Sequence, residues 1–286
     1  MPSPDRVVVG YDGSAEAALA VRWAARNALL LDCELHVVHC SLWPLLTHNL
    51  GPVEGVAGSG LQHQAQAILE EGKSEAVAAA SGLRIRTSLL YGLPAAHLLR
   101  LSAGARLLVL GSRGIGGFMG LLVGSVSLEL AATARCPVTV VRRDRNPEGP
   151  VVVGIDASGS ALALHDACSL ANALGLKLII LHVLRTHFGG AADAPTSSAG
   201  RRAGQQLLES AADSARGLAT GRDIRVVLAD DTSVPRALLN AARGAALIVV
   251  GSKGQGLVRG ALGSKAHAVL HHASCPVVVS RRPPEP

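Results

Sequence analysis

The residues best suited to chemistry in this chain are glycines and serines placed between an apolar run and a helical pattern. Leu108-Val109-Leu110 opens into Gly111-Ser112-Arg113-Gly114-Ile115-Gly116-Gly117-Phe118-Met119-Gly120, and the segment closes on Gly124-Ser125. Glycine lets a backbone turn through positive φ and lets N–H groups approach a ligand with no Cβ in the way. A serine at the start of a helix can cap it or turn its hydroxyl outward, and a helix N-terminus favours anions. The chemistry of such a segment is the cradling of phosphate. One glycine-rich loop is equally well a surface connection. Here the pattern recurs: Leu247-Ile248-Val249-Val250 leads into Gly251-Ser252-Lys253-Gly254-Gln255-Gly256 and closes on Gly263-Ser264.

The elements that must position these loops repeat as well. Val7-Val8-Val9-Gly10-Tyr11-Asp12-Gly13-Ser14 returns as Val151-Val152-Val153-Gly154-Ile155-Asp156-Ala157-Ser158, and Cys136-Pro137-Val138 returns as Cys275-Pro276-Val277. The chain therefore reads as a duplication of one unit of about 140 residues, with domains at 1–143 and 149–283. The polar stretch from Arg142 to Gly149 joins them.

Within unit one the pattern predicts strands at Val7–Gly10, Leu35–His39, Leu83–Leu89, Arg106–Leu110 and Pro137–Arg142. Helices are expected from the N-cap Ser14 to Leu30, over Leu61–Ala80, from Pro94 to Ser102, and over Ser125–Ala134. A long loop from Ser41 to Gly60 is expected to cover something. Unit two follows the same plan, with strands near 151–154, 177–182, 224–229, 246–250 and 276–280 and a shorter covering loop from His187 to Gly200. Alternating strands and helices with right-handed crossovers give a doubly wound parallel sheet. Ligands then sit beyond the carboxyl ends of the strands, where the winding reverses. That rule gathers Gly10-Tyr11-Asp12, His39-Cys40 and the glycine loop at one crevice. An aspartate there suits a ribose hydroxyl or a metal; it suits equally the positive end of a helix dipole.

Composition narrows the function classes. Nearly half of the 286 residues are apolar but only two Phe, two Tyr and two Trp are present, so the cores are aliphatic. The net charge of +6 lies mostly in the second half, yet the arginines are scattered and aromatic stacking platforms are missing, which argues against nucleic acid. Five cysteines without CxxC spacing read as buried thiols of a reducing compartment. The N-terminus reads as leading straight into a strand, and no run has the length of a membrane span. A cytoplasmic protein is expected. There is no Walker sequence, and a dinucleotide fingerprint would have to follow the first strand, where Gly10-Tyr11-Asp12-Gly13 stands instead.

The spacing Gly111-x2-Gly114-x9-Gly124-Ser125, the opening Val-Val-Val-Gly-Tyr-Asp-Gly-Ser, His39 at the end of strand two and the Cys-Pro-Val strand resemble the universal stress protein family, in its tandem two-domain form. The resemblance implies an α/β fold of two tandem five-stranded parallel-sheet sandwiches, adenine nucleotide alpha hydrolase-like, with strand order 3-2-1-4-5. It implies binding of ATP, with or without Mg, and admits AMP. Carried over, Gly10 and Asp12 would lie along the adenosine and Cys40 would offer its backbone to the adenine edge. Leu110 and Gly111 would floor the pocket. Arg113, Gly114, Gly124, Ser125, Val126 and Ser127 would surround the phosphates. His39 reads as a packing residue.

In unit two the corresponding residues are Gly154, Asp156, Val183, Gly251, Gly254, Gly263 and Ser264. Its loop is one residue shorter between Gly254 and Gly263, Lys253 replaces Arg113, and Ser264-Lys265-Ala266 replaces Ser125-Val126-Ser127. The deletion is expected to change how the cradle closes, with Lys265 as an alternative source of positive charge. The expected function is a nucleotide-dependent stress-response regulator or binding module. A slow ATPase and a nucleotide-free docking scaffold are the alternatives. The resemblance also implies pairing through strand five, which could join the two domains internally, and a dimer of chains is compatible with it.

Overall fold

In the computed structural model, residues 5–42, 57–114, 122–143, 146–185, 198–252 and 261–281 are described. The chain divides into two compact units, Met1–Arg142 and Arg143–Arg282.

Unit one is built from β1 (Arg6–Gly10), α1 (Ala15–Leu30), β2 (Glu34–Ser41), α2 (Ala57–Ala79), β3 (Ile85–Tyr91), α3 (Pro94–Ser102), β4 (Leu107–Gly111), α4 (Ser125–Thr133) and β5 (Val138–Val141). Its strands run parallel in the order β3-β2-β1-β4-β5, as expected. α1 packs on β1 and β4 and against α2, while α3 packs on β1 and β2 and against α4. The central strands are thus covered on both faces, which is why Val7-Val8-Val9 and Leu108-Val109 are unbroken apolar runs with every side chain fully buried.

Unit two repeats the plan with β6 (Val151–Ile155), α5 (Ala161–Leu174), β7 (Leu178–Arg185), α6 (Ser198–Leu218), β8 (Ile224–Asp231), α7 (Val234–Ala241), β9 (Leu247–Gly251), α8 (Ser264–His272) and β10 (Val277–Ser280). The parallel order is β8-β7-β6-β9-β10. Among the described residues no helix is long and apolar enough to cross a membrane.

Local chemistry explains most boundaries. Ser14 caps α1 in extended conformation, its hydroxyl accepting from Ala17 N–H at 3.1 Å. Pro94 opens α3, where its missing N–H costs nothing. Two expectations are corrected. The stretch from Ser41 to Gly60 is not one loop, because β2 runs through Ser41 and α2 begins at Ala57; residues 43–56 lie outside the described residues. Likewise α6 begins at Ser198, inside the expected covering loop of unit two, and residues 186–197 lie outside the described residues. The third strand is shifted to Ile85–Tyr91 and follows the turn at Gly82, whose φ is +80°.

Candidate functional site

The carboxyl end of β1 delivers Asp12 to the N-terminus of α1, where its carboxylate is locked. Oδ1 accepts from Ser14 N–H at 3.0 Å and from the Ser14 hydroxyl at 2.6 Å. The loop leaving β4 comes back to the same place. The Arg113 carbonyl lies 3.4 Å from Ser14 Oγ, and the Arg113 guanidinium pairs with Glu16 at 3.0 Å. Gly114 follows, so close to Asp12 that a Cβ on it would collide with Oδ2. Asp12, Arg113 and Gly114 are therefore brought together, as the sequence implies.

The loop closes through one backbone hydrogen bond, Gly124 N–H to Ser112 C=O at 2.7 Å. Of the two roles open to Ser125 in the sequence, capping is not the one taken. Gly124 is the N-cap residue, with φ −73° and ψ 155°, and no side chain caps α4. Ser125 is the first helical residue, with its side chain exposed. A helix start left without a capping side chain offers its first-turn N–H groups to a ligand.

Several residues expected at the ligand have their side chains committed elsewhere. Ser127 is buried, and its hydroxyl donates to the Gly111 carbonyl at 2.8 Å, tying α4 to the end of β4. Gly111 is a glycine because α1 crosses the strand end there: a Cβ would stand 2.8 Å from Glu16 C and 2.9 Å from Ala17 N. A Cβ at Gly10 would meet Leu110 at 3.1 Å and Leu98 at 3.3 Å, beneath the crevice. Cys40 is half-buried at the end of β2, with its thiol pushed up to about 11 by burial, so it offers no thiolate. His39 is buried, and its Nδ1 donates to the Tyr11 carbonyl at 2.8 Å, in line with its reading as packing.

Tyr11, expected at the crevice but given no contact with a ligand, turns inward. It is 2% exposed, and its ring lies where a side chain at Gly72 of α2 would be, 2.6 Å from that position. Burial, then Glu71, then the charges of Glu75 and Asp12, push its phenol up to about 12.

Unit two builds the same frame with different details. Gly154 lies under Leu238 of α7, whose Cδ2 would be 2.5 Å from an added Cβ. His182 Nδ1 donates to the Ile155 carbonyl at 3.0 Å, as His39 does to Tyr11. Val183 occupies the half-buried position on β7 next to His182. Asp156 Oδ1 accepts from Ser158 N–H at 2.9 Å, from the Ser158 hydroxyl and from the Ser160 hydroxyl at 3.2 Å. Burial would raise its pKa, but these hydrogen bonds and the charge of Lys265 hold the carboxyl below the usual carboxylate range. The turn from Asp156 to α5 is two residues longer than that from Asp12 to α1 and passes through Ser160 in the left-handed region at φ +46°. Ser14 in unit one both caps the helix and locks the carboxylate; in unit two the locking is kept by Ser158 and Ser160, and no side chain caps α5.

The shortened loop keeps the closing hydrogen bond. Gly263 N–H donates to Ser252 C=O at 2.9 Å, the same bond that Gly124 makes to Ser112, and Gly263 is again the N-cap of its helix. Lys253 and Gly254 fall outside the described residues. Ala266, buried at the position of Ser127, lacks the bond to the strand carbonyl. Gly251 ends β9, and Ser264 and Lys265 begin α8 with exposed side chains.

Comparison with known proteins matches the universal stress protein family twice, at residues 4–142 and 149–281. The chain is 33% identical over 287 residues to a universal stress protein of Mycobacterium tuberculosis, covering 96% of this chain and 97% of that one. A second universal stress protein of that organism is 35% identical over 308 residues, covering 98% and 96%. The crystal structure of a universal stress protein from Archaeoglobus fulgidus shares the fold, with a TM-score of 0.72 at 21% identity over 99% of this chain and 100% of that one.

Proposed function

Because the chain belongs to the universal stress protein family through both of its units, we propose that each unit holds an adenine nucleotide at the carboxyl end of its sheet and that this ligand sets the state in which the protein acts in the stress response. One observation carries the reading: in unit one an aspartate locked at the end of the first strand stands against the glycine loop, and in both units a serine carbonyl to glycine N–H bond closes that loop at a helix start without a capping side chain. At Gly114, where the Asp12 carboxylate leaves no room for a Cβ, the bare backbone is suited to contact with phosphate.

In this reading the nucleoside lies over Gly10, Asp12 and Cys40 in unit one and over Gly154, Asp156 and Val183 in unit two. Leu110 and Gly111 lie at its base. The phosphates reach Arg113, Gly114, Gly124, Ser125 and Val126 in one unit and Gly263 and Ser264 in the other. ATP is the proposed ligand. Among the described residues no group of three His, Cys, Asp or Glu side chains could hold a metal ion, so magnesium would arrive on the phosphates.

The test is mass spectrometry of nucleotide released from freshly purified protein, joined to isothermal titration with ATP. Bound adenine nucleotide and saturable binding support the reading, and an empty protein that ATP neither binds nor stabilises refutes it. Phosphate release that persists unchanged in Gly114→Ala would not come from the unit-one site.

A further inference from the structure

The two crevices differ in charge at the phosphate end. In unit one the second residue of α1 is Glu16, and its carboxylate already holds the Arg113 guanidinium at 3.0 Å. The Glu16 side chain is only 27% exposed, so the pair is partly shielded from solvent. A phosphate arriving there meets a cation that is neutralised and an acid that repels it. In unit two the second residue of α5 is Leu162, 41% exposed and uncharged. The second residue of the helix after the glycine loop differs too: Val126 in unit one, an exposed Lys265 in unit two. Lys265 is near enough to Asp156 to help hold its carboxyl ionised.

Resting on the proposed nucleotide site, we infer that the two units select nucleotides by charge: unit two takes the triphosphate through Lys265, and unit one takes ligands with fewer phosphates, such as AMP. The physical reason is that every added phosphate brings negative charge. In unit one that charge must displace Glu16 from Arg113. In unit two it meets a lysine at the positive end of a helix dipole.

The experiment is isothermal titration of the full chain with ATP and with AMP at one fixed, low salt concentration, in the wild type, Lys265→Met and Glu16→Gln. Lys265→Met should weaken the tighter ATP class by about fivefold, equivalent to about 1 kcal/mol, and change AMP binding by less than about twofold. Glu16→Gln should strengthen the weaker ATP class by about threefold and leave the other class alone. Gly114→Ala identifies the unit-one class by removing it. If Lys265→Met weakens ATP and AMP equally, or weakens neither, the inference is overturned while the nucleotide site stands. If the wild type binds neither nucleotide, the site itself is refuted and the inference falls with it.

Discussion

The carboxylate of Asp12 occupies the space into which any side chain at Gly114 would have to project. The two residues are far apart in the sequence and meet only because β1 and β4 are neighbours in the sheet. Asp12 cannot swing away at no cost, since its other oxygen is held by both the N–H and the hydroxyl of Ser14. Gly114→Ala should therefore displace the loop rather than the aspartate. Nucleotide affinity at unit one should fall by at least about tenfold, about 1.4 kcal/mol, while circular dichroism stays native.

Gly111→Ala tests a different role for a neighbouring glycine. The added methyl would press on the Glu16 and Ala17 backbone at 2.8–2.9 Å, which can be relieved only by lifting α1 from β4. Overpacking of this kind costs about 1–3 kcal/mol. The loss should appear in urea unfolding even without ligand. Gly124→Ala, with its nearest neighbours at 3.7 Å and φ at −73°, should cost no more than about 1 kcal/mol in the same assay.

Ser127→Ala should lower the stability of unit one by about 1 kcal/mol, the worth of its bond to the Gly111 carbonyl. Unit two already carries Ala266 at this position. Ala266→Ser should accordingly stabilise unit two if the hydroxyl reaches the Gly251 carbonyl, and urea midpoints of the two variants give the comparison.

His36 makes unit one sensitive to acid. It is buried on β2, with Nε2 paired to Ser88 Oγ at 2.8 Å. Burial, then Arg86 and Arg6, lower its pKa from 6.5 to about 4. Below its ordinary pKa the unfolded chain binds a proton that the folded unit refuses. The contribution is complete above pH 6.5 and declines as the pH falls toward about 4, by at most about 1.4 kcal/mol per pH unit. Urea midpoints at pH 7 and pH 5 should differ in that direction, and His36→Gln should shrink the difference.

The fold was legible because its signals are local. β-branched runs marked the buried strands, Ser14 and Pro94 marked helix starts, and the recurrence of whole segments revealed two units. The meeting of the β1 end with the loop after β4, which brings Asp12 to Gly114, was legible as well. What could not be read were relations between side chains brought together from different elements. The sequence does not show that α1 crosses Gly111 and excludes a Cβ there, nor that the Ser127 hydroxyl turns inward to the carbonyl at the end of β4. The Glu16–Arg113 pair joins the first helix to the loop after the fourth strand, so no spacing rule points to it. The shortened loop of unit two suggested altered closure, yet Gly263 and Ser252 make the bond of their counterparts, because a closing bond depends on its two ends and not on the length between them.

The stoichiometry of ATP binding to the full chain tests the central claim most directly. The account predicts two adenine nucleotides per chain by isothermal titration at low salt, one of which is lost in Gly114→Ala. A titration without heat, together with a melting temperature that millimolar ATP leaves unmoved, would contradict it.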